Sequence, residues 1–146
     1  MPAPISCRIV TPREELLNEE VVYANVPAHD GLIGLQHGSA PLVARLGLGK
    51  LTLQFSDDAG GGTRIYFIDG GFLKMSRDEL VILADRAQAA ETIIASEAQA
   101  ELAEAQARVI PDDEPDRFAA AERLRREQES ARLRVTLATD ATAAGI

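Results

Sequence analysis

The apolar residues of this 146-residue chain keep two different periods, and the change between them falls near residue 87. Before it, short alternating runs lie between turn residues. Leu51, Leu53 and Phe55 share one parity and Lys50, Thr52 and Gln54 the other, the two-residue period of a half-buried strand. The stretch DDAGGG (57–62) offers a flexible reversal and RIYFI (64–68) runs back, which predicts a hairpin with a long tip. Gly70-Gly71 is expected to break the chain before FLKM. Ser76-Arg77-Asp78 is expected to turn it into ELVILA, apolar on both faces as a strand inside a sandwich would be. With SCRIV, EVVYANV and GLIGL, the pattern predicts eight to ten short strands in a sandwich or barrel.

After residue 87 the glycines vanish until Gly145 and the period becomes helical. Ile94, Ala98, Leu102, Ala105 and Val109 make one stripe along a predicted helix of roughly six turns. PDDEP (111–115) then interrupts it, with Pro115 expected as the first residue of a second helix and acidic groups around its N-terminus. Phe118, Ala121, Leu124, Gln128, Ala131 and Val135 form the second stripe. So short a link predicts an antiparallel hairpin, and stripes rich in alanine predict one that is weakly held. From Thr136 the chain is small and mixed, with a tail expected to fray. The fold class is therefore α+β: a β-sandwich over 1–87, then a helical hairpin over 88–146.

Composition narrows the function. The net charge is −8, of which residues 1–87 carry −3 and 88–146 carry −5, so no basic footprint points to nucleic acid or a membrane surface. A single cysteine, Cys7, leaves no intramolecular disulfide and no cysteine-rich metal site, and reads as a small buried hydrophobe. No signal-peptide core or apolar run of membrane-spanning length occurs, so a soluble, intracellular protein is expected.

The segment GLIGLQHGSAP (31–41) holds the candidate chemistry. His29 and His37, the two histidines, lie in or beside it with Asp30 and Ser39. A hydrolase would need base and nucleophile to meet, and Gly38-Ser39-Ala40 lacks the nucleophile-elbow pattern. A phosphate loop would need a helix behind its glycines, but Pro41, Gly47 and Gly49 follow without helical period. Neither Asp57-Asp58 nor Asp112-Asp113-Glu114 has the further ligands of a cation site. In the second helix Arg117, Arg123, Arg125, Arg126, Arg132 and Arg134 face only Asp116, Glu122, Glu127 and Glu129. They make either a solvated face with pairs such as Glu122–Arg126 or a guanidinium face for an acidic partner.

Local motifs add a resemblance. GLIGL, HGSAPL and GKL, then IYFIDGGFLKM and VILAD, occur in the order seen in epsilon subunits of F-type ATP synthases, and the resemblance covers residues 5–138. Where that family commonly has PGHAPL, this chain has Ser39 for the histidine and His37 for the proline. The resemblance implies a non-catalytic subunit of the central stalk that couples proton transport to ATP synthesis, with no cofactor. It implies that Gly38, Ser39, Ala40 and Pro41 meet the gamma subunit. It implies that Asp30, Gly31, Leu32, Ile33 and Gly34 meet the c ring. The hairpin would restrain ATP hydrolysis by extending its second helix among the alpha and beta subunits, through Arg123, Arg126 and Arg132. The implied location is peripheral, on the cytoplasmic face of the bacterial inner membrane. Family members that bind ATP carry an acid and an arginine early in the first helix, where this chain has Ile94 and Glu97, so no ATP site is expected. A free-standing adaptor, or an enzyme or ligand sensor using His29, His37 and Ser39, is the alternative.

Overall fold

The computed structural model describes residues 3–143 and divides between Ala89 and Ala90 into two units. The strand-forming unit thus runs two residues past the change of period.

The described residues of the first unit form seven strands: β1 (Ile5–Val10), β2 (Glu15–Val21), β3 (Tyr23–Ala28), β4 (Gly31–Leu35), β5 (Leu42–Gln54), β6 (Thr63–Ser76) and β7 (Glu79–Ala89). They make one sandwich-like sheet in the order β2-β1-β7-β6-β5-β3-β4, antiparallel except where β1 pairs with β7. Seven strands replace the expected eight to ten because β5 runs through Gly47 and Gly49, and β6 through Gly70 and Gly71, without ending. Gly71 pairs with Leu46 and Ala84, so the strand does not break there.

Instead, the buried face changes sides. In β6, Leu73 and Met75 face the core on odd positions, and Tyr66 and Ile68 on even ones. In β5, Leu46 gives way to Leu51 and Leu53. In β7, Leu80, Ile82 and Ala84 give way to Ala87 and Ala89. The register holds throughout, since Leu42 pairs with Met75 and Gln54 with Thr63. Gly70 and Gly71, with φ of 76° and 116°, supply the non-pleated backbone that such an inversion needs. Both halves of the sheet thereby contribute to one apolar cluster, aliphatic apart from Phe55 and Tyr66. Cys7 lies within it, and burial pushes its thiol up to about 12.

The second unit contains α1 (Ala95–Ala107) and α2 (Arg117–Ala143). The first helix is shorter than predicted. β7 and a 3₁₀ turn at Ala90–Thr92 occupy its expected start, and Arg108 is already extended, three residues before Pro111 bars helical backbone at Ile110. Ala98 and Ala105 are buried, whereas Ile94 and Val109, the ends of the predicted stripe, are exposed. The second helix begins at Arg117, two residues later than Pro115 suggested. Asp116 is its cap: its Oδ1 accepts from Ala119 N–H at 3.0 Å, a side-chain bond that proline cannot make. Phe118 is exposed, while Ala131, Leu137 and Ala138 are buried. The helix therefore continues past Thr136, and only residues 144–146 of the expected frayed tail lie outside the described residues.

The helices are antiparallel, since Glu101 meets Arg134, Ala105 O accepts from Gln128 Nε2, and Arg108 meets Glu127. Alanine stripes let the backbones approach, and ion pairs close the seam.

Candidate partner-binding surface

The loop after β4 is fastened to the turn between β6 and β7. That turn has Arg77 and Asp78 at φ of 51° and 62°, the double left-handed geometry of a tight hairpin turn. With its backbone so set, Asp78 reaches the loop with both oxygens. Oδ1 accepts from Gly38 N–H at 3.0 Å, and Oδ2 lies 2.6 Å from His37 Nδ1. The Gly38 amide first, and then His37, hold the Asp78 carboxyl below its ordinary value of 3.8. Gly38 itself has φ of 84°, which a residue with a side chain rarely adopts.

Ser39 serves the loop from inside. Its Oγ accepts from Gln36 N–H at 3.0 Å, and its own N–H donates to Gln36 O at 3.0 Å. The residues of the alternative enzymatic reading are thus engaged separately: His37 with Asp78, Ser39 with Gln36, and His29 with Asp30 at 3.9 Å. A base and its orienting acid are present, but the serine hydroxyl is engaged with the Gln36 backbone rather than with that base. No group of three metal-ligating side chains occurs among the described residues.

Asp30, Gly31, Leu32, Ile33 and Gly34 lie at and beyond the β3–β4 turn, with Gly31 at φ of 136°. β4 is the last strand of the sheet, and Leu32 is 65% exposed on it. Gly34 is confined, because a Cβ there would stand 2.2 Å from Tyr23 Oη. The edge strand so presents a short apolar tip.

A third surface was missed in the sequence. Val43, Lys74 and Val81 are paired across β5, β6 and β7, as are Arg45, Phe72 and Leu83. Paired residues of neighbouring strands share a face, so these six stand together. Val43 is 69%, Phe72 54% and Leu83 51% exposed. The strand ELVILA therefore buries one face only, and its second apolar row points outward. A double-sided apolar strand can mean either full burial or a docking face, and sequence period does not separate the two.

The arginines of α2 are more occupied than their count suggested. Arg134 is buried and meets Glu101, Arg125 meets Glu122 at 2.6 Å, and Arg117 donates to Pro111 O, while Glu127 of α2 is taken by Arg108 from the end of α1. Glu122 takes Arg125, one residue nearer than the expected Arg126. Arg123, Arg126 and Arg132 are exposed. At the other end of the unit, Ile94 is the N-terminal flanking residue of α1 and Glu97 lies in its first turn.

Comparison with known proteins agrees with this architecture. The family pattern described as ATP synthase, Delta/Epsilon chain, beta-sandwich domain matches residues 4–90. The ATP synthase epsilon chain of Solibacter usitatus is 39% identical over 106 residues, 73% of this chain and 76% of its own. That of Rhodopirellula baltica is 39% identical over 101 residues, 69% and 76% of the two chains. Among solved structures, a chain of the Euglena gracilis mitochondrial ATP synthase, seen with OSCP, F1 and c-ring, superposes with a TM-score of 0.68. It is 26% identical, with 98% of this chain and 83% of that chain covered. A chain from the central stalk and c-ring structure of Tetrahymena thermophila mitochondrial ATP synthase shares the fold at a TM-score of 0.61 and 15% identity, covering 94% and 98%. On the match over its strand-forming unit and these relatives, the chain belongs to the ATP synthase delta/epsilon family, as an epsilon chain.

Proposed function

We propose that this epsilon chain is a non-catalytic component of the central stalk, linking the gamma subunit to the c ring and coupling proton transport to ATP synthesis. The observation that carries the reading is the clasped loop 36–41 beside an exposed apolar sheet face, on a unit that matches the family pattern from end to end. Gly38, Ser39, Ala40 and Pro41 meet gamma, and the clasp from Asp78 fixes their shape before docking. Asp30 to Gly34 meet the c ring, with Leu32 as the apolar contact. The complex places the chain peripherally, on the cytoplasmic face of the bacterial inner membrane. The hairpin restrains ATP hydrolysis by presenting Arg123, Arg126 and Arg132 to acidic surfaces of the alpha and beta subunits, where guanidinium binds carboxylates in a fork.

Reconstitution tests both parts. ATP synthase depleted of this chain is rebuilt with it in sealed vesicles, and ATP-driven proton pumping and hydrolysis are followed together. The intact chain is expected to restore pumping. The triple variant Arg123→Ala, Arg126→Ala and Arg132→Ala is expected to assemble and pump while hydrolysing ATP faster. Pumping unchanged by adding the chain would contradict the coupling role. Hydrolysis unchanged in both the triple variant and a chain truncated before Pro111 would contradict the inhibitory one.

A further inference from the structure

We propose that Asp30 is a site of spontaneous covalent modification in the unassembled chain: the backbone nitrogen of Gly31 attacks its carboxyl, and the turn converts to an isoaspartyl linkage. The same dipeptide at Asp69-Gly70 stays intact because its strand holds it. The chemistry stands on its own, and only its consequence for c-ring docking rests on the function proposed above.

The sequence has two Asp-Gly pairs, Asp30-Gly31 and Asp69-Gly70, and no Asn-Gly pair. Ring closure brings an aspartate Cγ against the next backbone nitrogen, and a following Cβ crowds that approach where glycine does not. The two pairs sit in opposite surroundings. β3 ends at Ala28 and β4 starts at Gly31, so His29 and Asp30 alone make the turn. The Asp30 side chain is 76% exposed, and its ionic partner, His29 Nδ1, stands 3.9 Å away, beyond hydrogen-bond reach. A Cβ built on Gly31 would meet nothing within 4 Å, so the space beside the attacking nitrogen is open. Asp69 instead lies within β6, half-buried and paired with Leu48 on one side and Arg86 on the other. Turning its carboxyl onto the Gly70 nitrogen requires β6 to part from both neighbours. Such openings cost far more than the opening of an exposed turn.

The reaction balances with water as its only co-reactant. The Gly31 nitrogen bonds to Asp30 Cγ, and its proton leaves with the hydroxyl of the protonated carboxyl as water, closing a succinimide ring. A second water opens the ring at either carbonyl. Breaking the new bond between nitrogen and Cγ restores aspartate. Breaking the original peptide bond leaves Gly31 joined through the Asp30 side chain, with the free carboxylate on the former main-chain carbonyl carbon. The main chain thereby gains one methylene carbon inside a two-residue turn, and turn length fixes the register of a hairpin. The rung between Ala28 and Gly31, next to the turn, is the first to be lost. Leu32 follows directly on β4, so the conversion displaces the exposed apolar residue offered to the c ring.

The test incubates the purified full chain at neutral pH, folded and in concentrated urea. Isoaspartate is located by peptide mass spectrometry and counted by methyl transfer from S-adenosylmethionine with a protein isoaspartyl methyltransferase. Circular dichroism checks that the folded samples stay folded. In urea, Asp30 and Asp69 are expected to convert at similar rates. In the folded chain, Asp30 is expected to convert about 10-fold or more faster than Asp69. Asp30→Glu keeps the charge but lengthens the side chain, and is expected to remove the folded-state signal. The proposal is overturned if the folded chain gains no isoaspartate at Asp30 while the urea sample does, since the turn then protects the pair. It is also overturned if Asp69 converts as fast as Asp30 in the folded chain. The converted chain is expected to be retained less well than fresh chain on isolated c ring. Equal retention refutes the docking consequence, and a c ring that retains no fresh chain refutes the c-ring reading rather than the modification.

Discussion

A Cβ added at Gly71 would stand 2.0 Å from Leu83 O and 2.9 Å from Ala84 Cα, and φ there is 116°. No side chain relieves that contact, because both obstructing atoms are backbone of the paired strand. Gly71→Ala is therefore expected to cost about 2–4 kcal/mol, read as a lowered urea midpoint. A loss below about 1 kcal/mol would mean that the face inversion does not depend on this residue. The Gly-Gly pair was legible as a special position, but its role as a twist within a continuous strand was not. A glycine pair signals unusual φ without revealing the register on either side. Asp78 gives a second prediction at this scale. Its folded carboxyl is depressed below 3.8, so its contribution is complete above about pH 4 and is lost as pH falls through the lowered value. The Gly38 amide resonance should shift in that acidic window, and Asp78→Asn should abolish the shift. A Gly38 resonance that does not move in that window would contradict the clasp.

Among elements, the helical hairpin departs most from its sequence pattern. Both helices and their order were legible from the 3.6-residue period, and so was their antiparallel return from the short link. Their ends were not, because caps and prolines overrule period: Asp116 sets the start of α2 and Pro111 stands behind the end of α1. The seam was misjudged for a different reason. Alanines were the visible pattern, but Arg134, read as part of a solvated arginine face, is buried and paired with Glu101. Arginine's long stem allows it to act as packing residue and ion-pair partner together, and no local period announces which. Arg134→Ala removes both roles and leaves Glu101 without this partner. The expected loss is about 1–3 kcal/mol of helical-unit stability, seen as an earlier melt at 222 nm. Arg123→Ala, on an exposed position of the same helix, should leave that melt unchanged. Equal effects from the two would remove the seam's dependence on the Arg134 pair.

At the scale of the molecule, the two-part organisation and the family were readable from motifs in order, whereas the outer face of β5–β7 required the register. The start of α1 makes its own statement about ligands. The Ile94 side chain cannot accept a hydrogen bond and Glu97 repels phosphate at close range, so titration with MgATP by calorimetry is expected to show no saturable one-to-one binding. A micromolar isotherm would contradict that reading of α1. The account's central claim is that this chain works inside the rotary stalk, and the most direct measurement is its company in the cell. The tagged chain is purified in mild detergent from its own cells, and the proteins retained are identified and counted. The account predicts gamma, the alpha and beta subunits and the c ring, with gamma and this chain in equal amounts. Recovery of the chain alone, or with partners that include no synthase subunit, would contradict it.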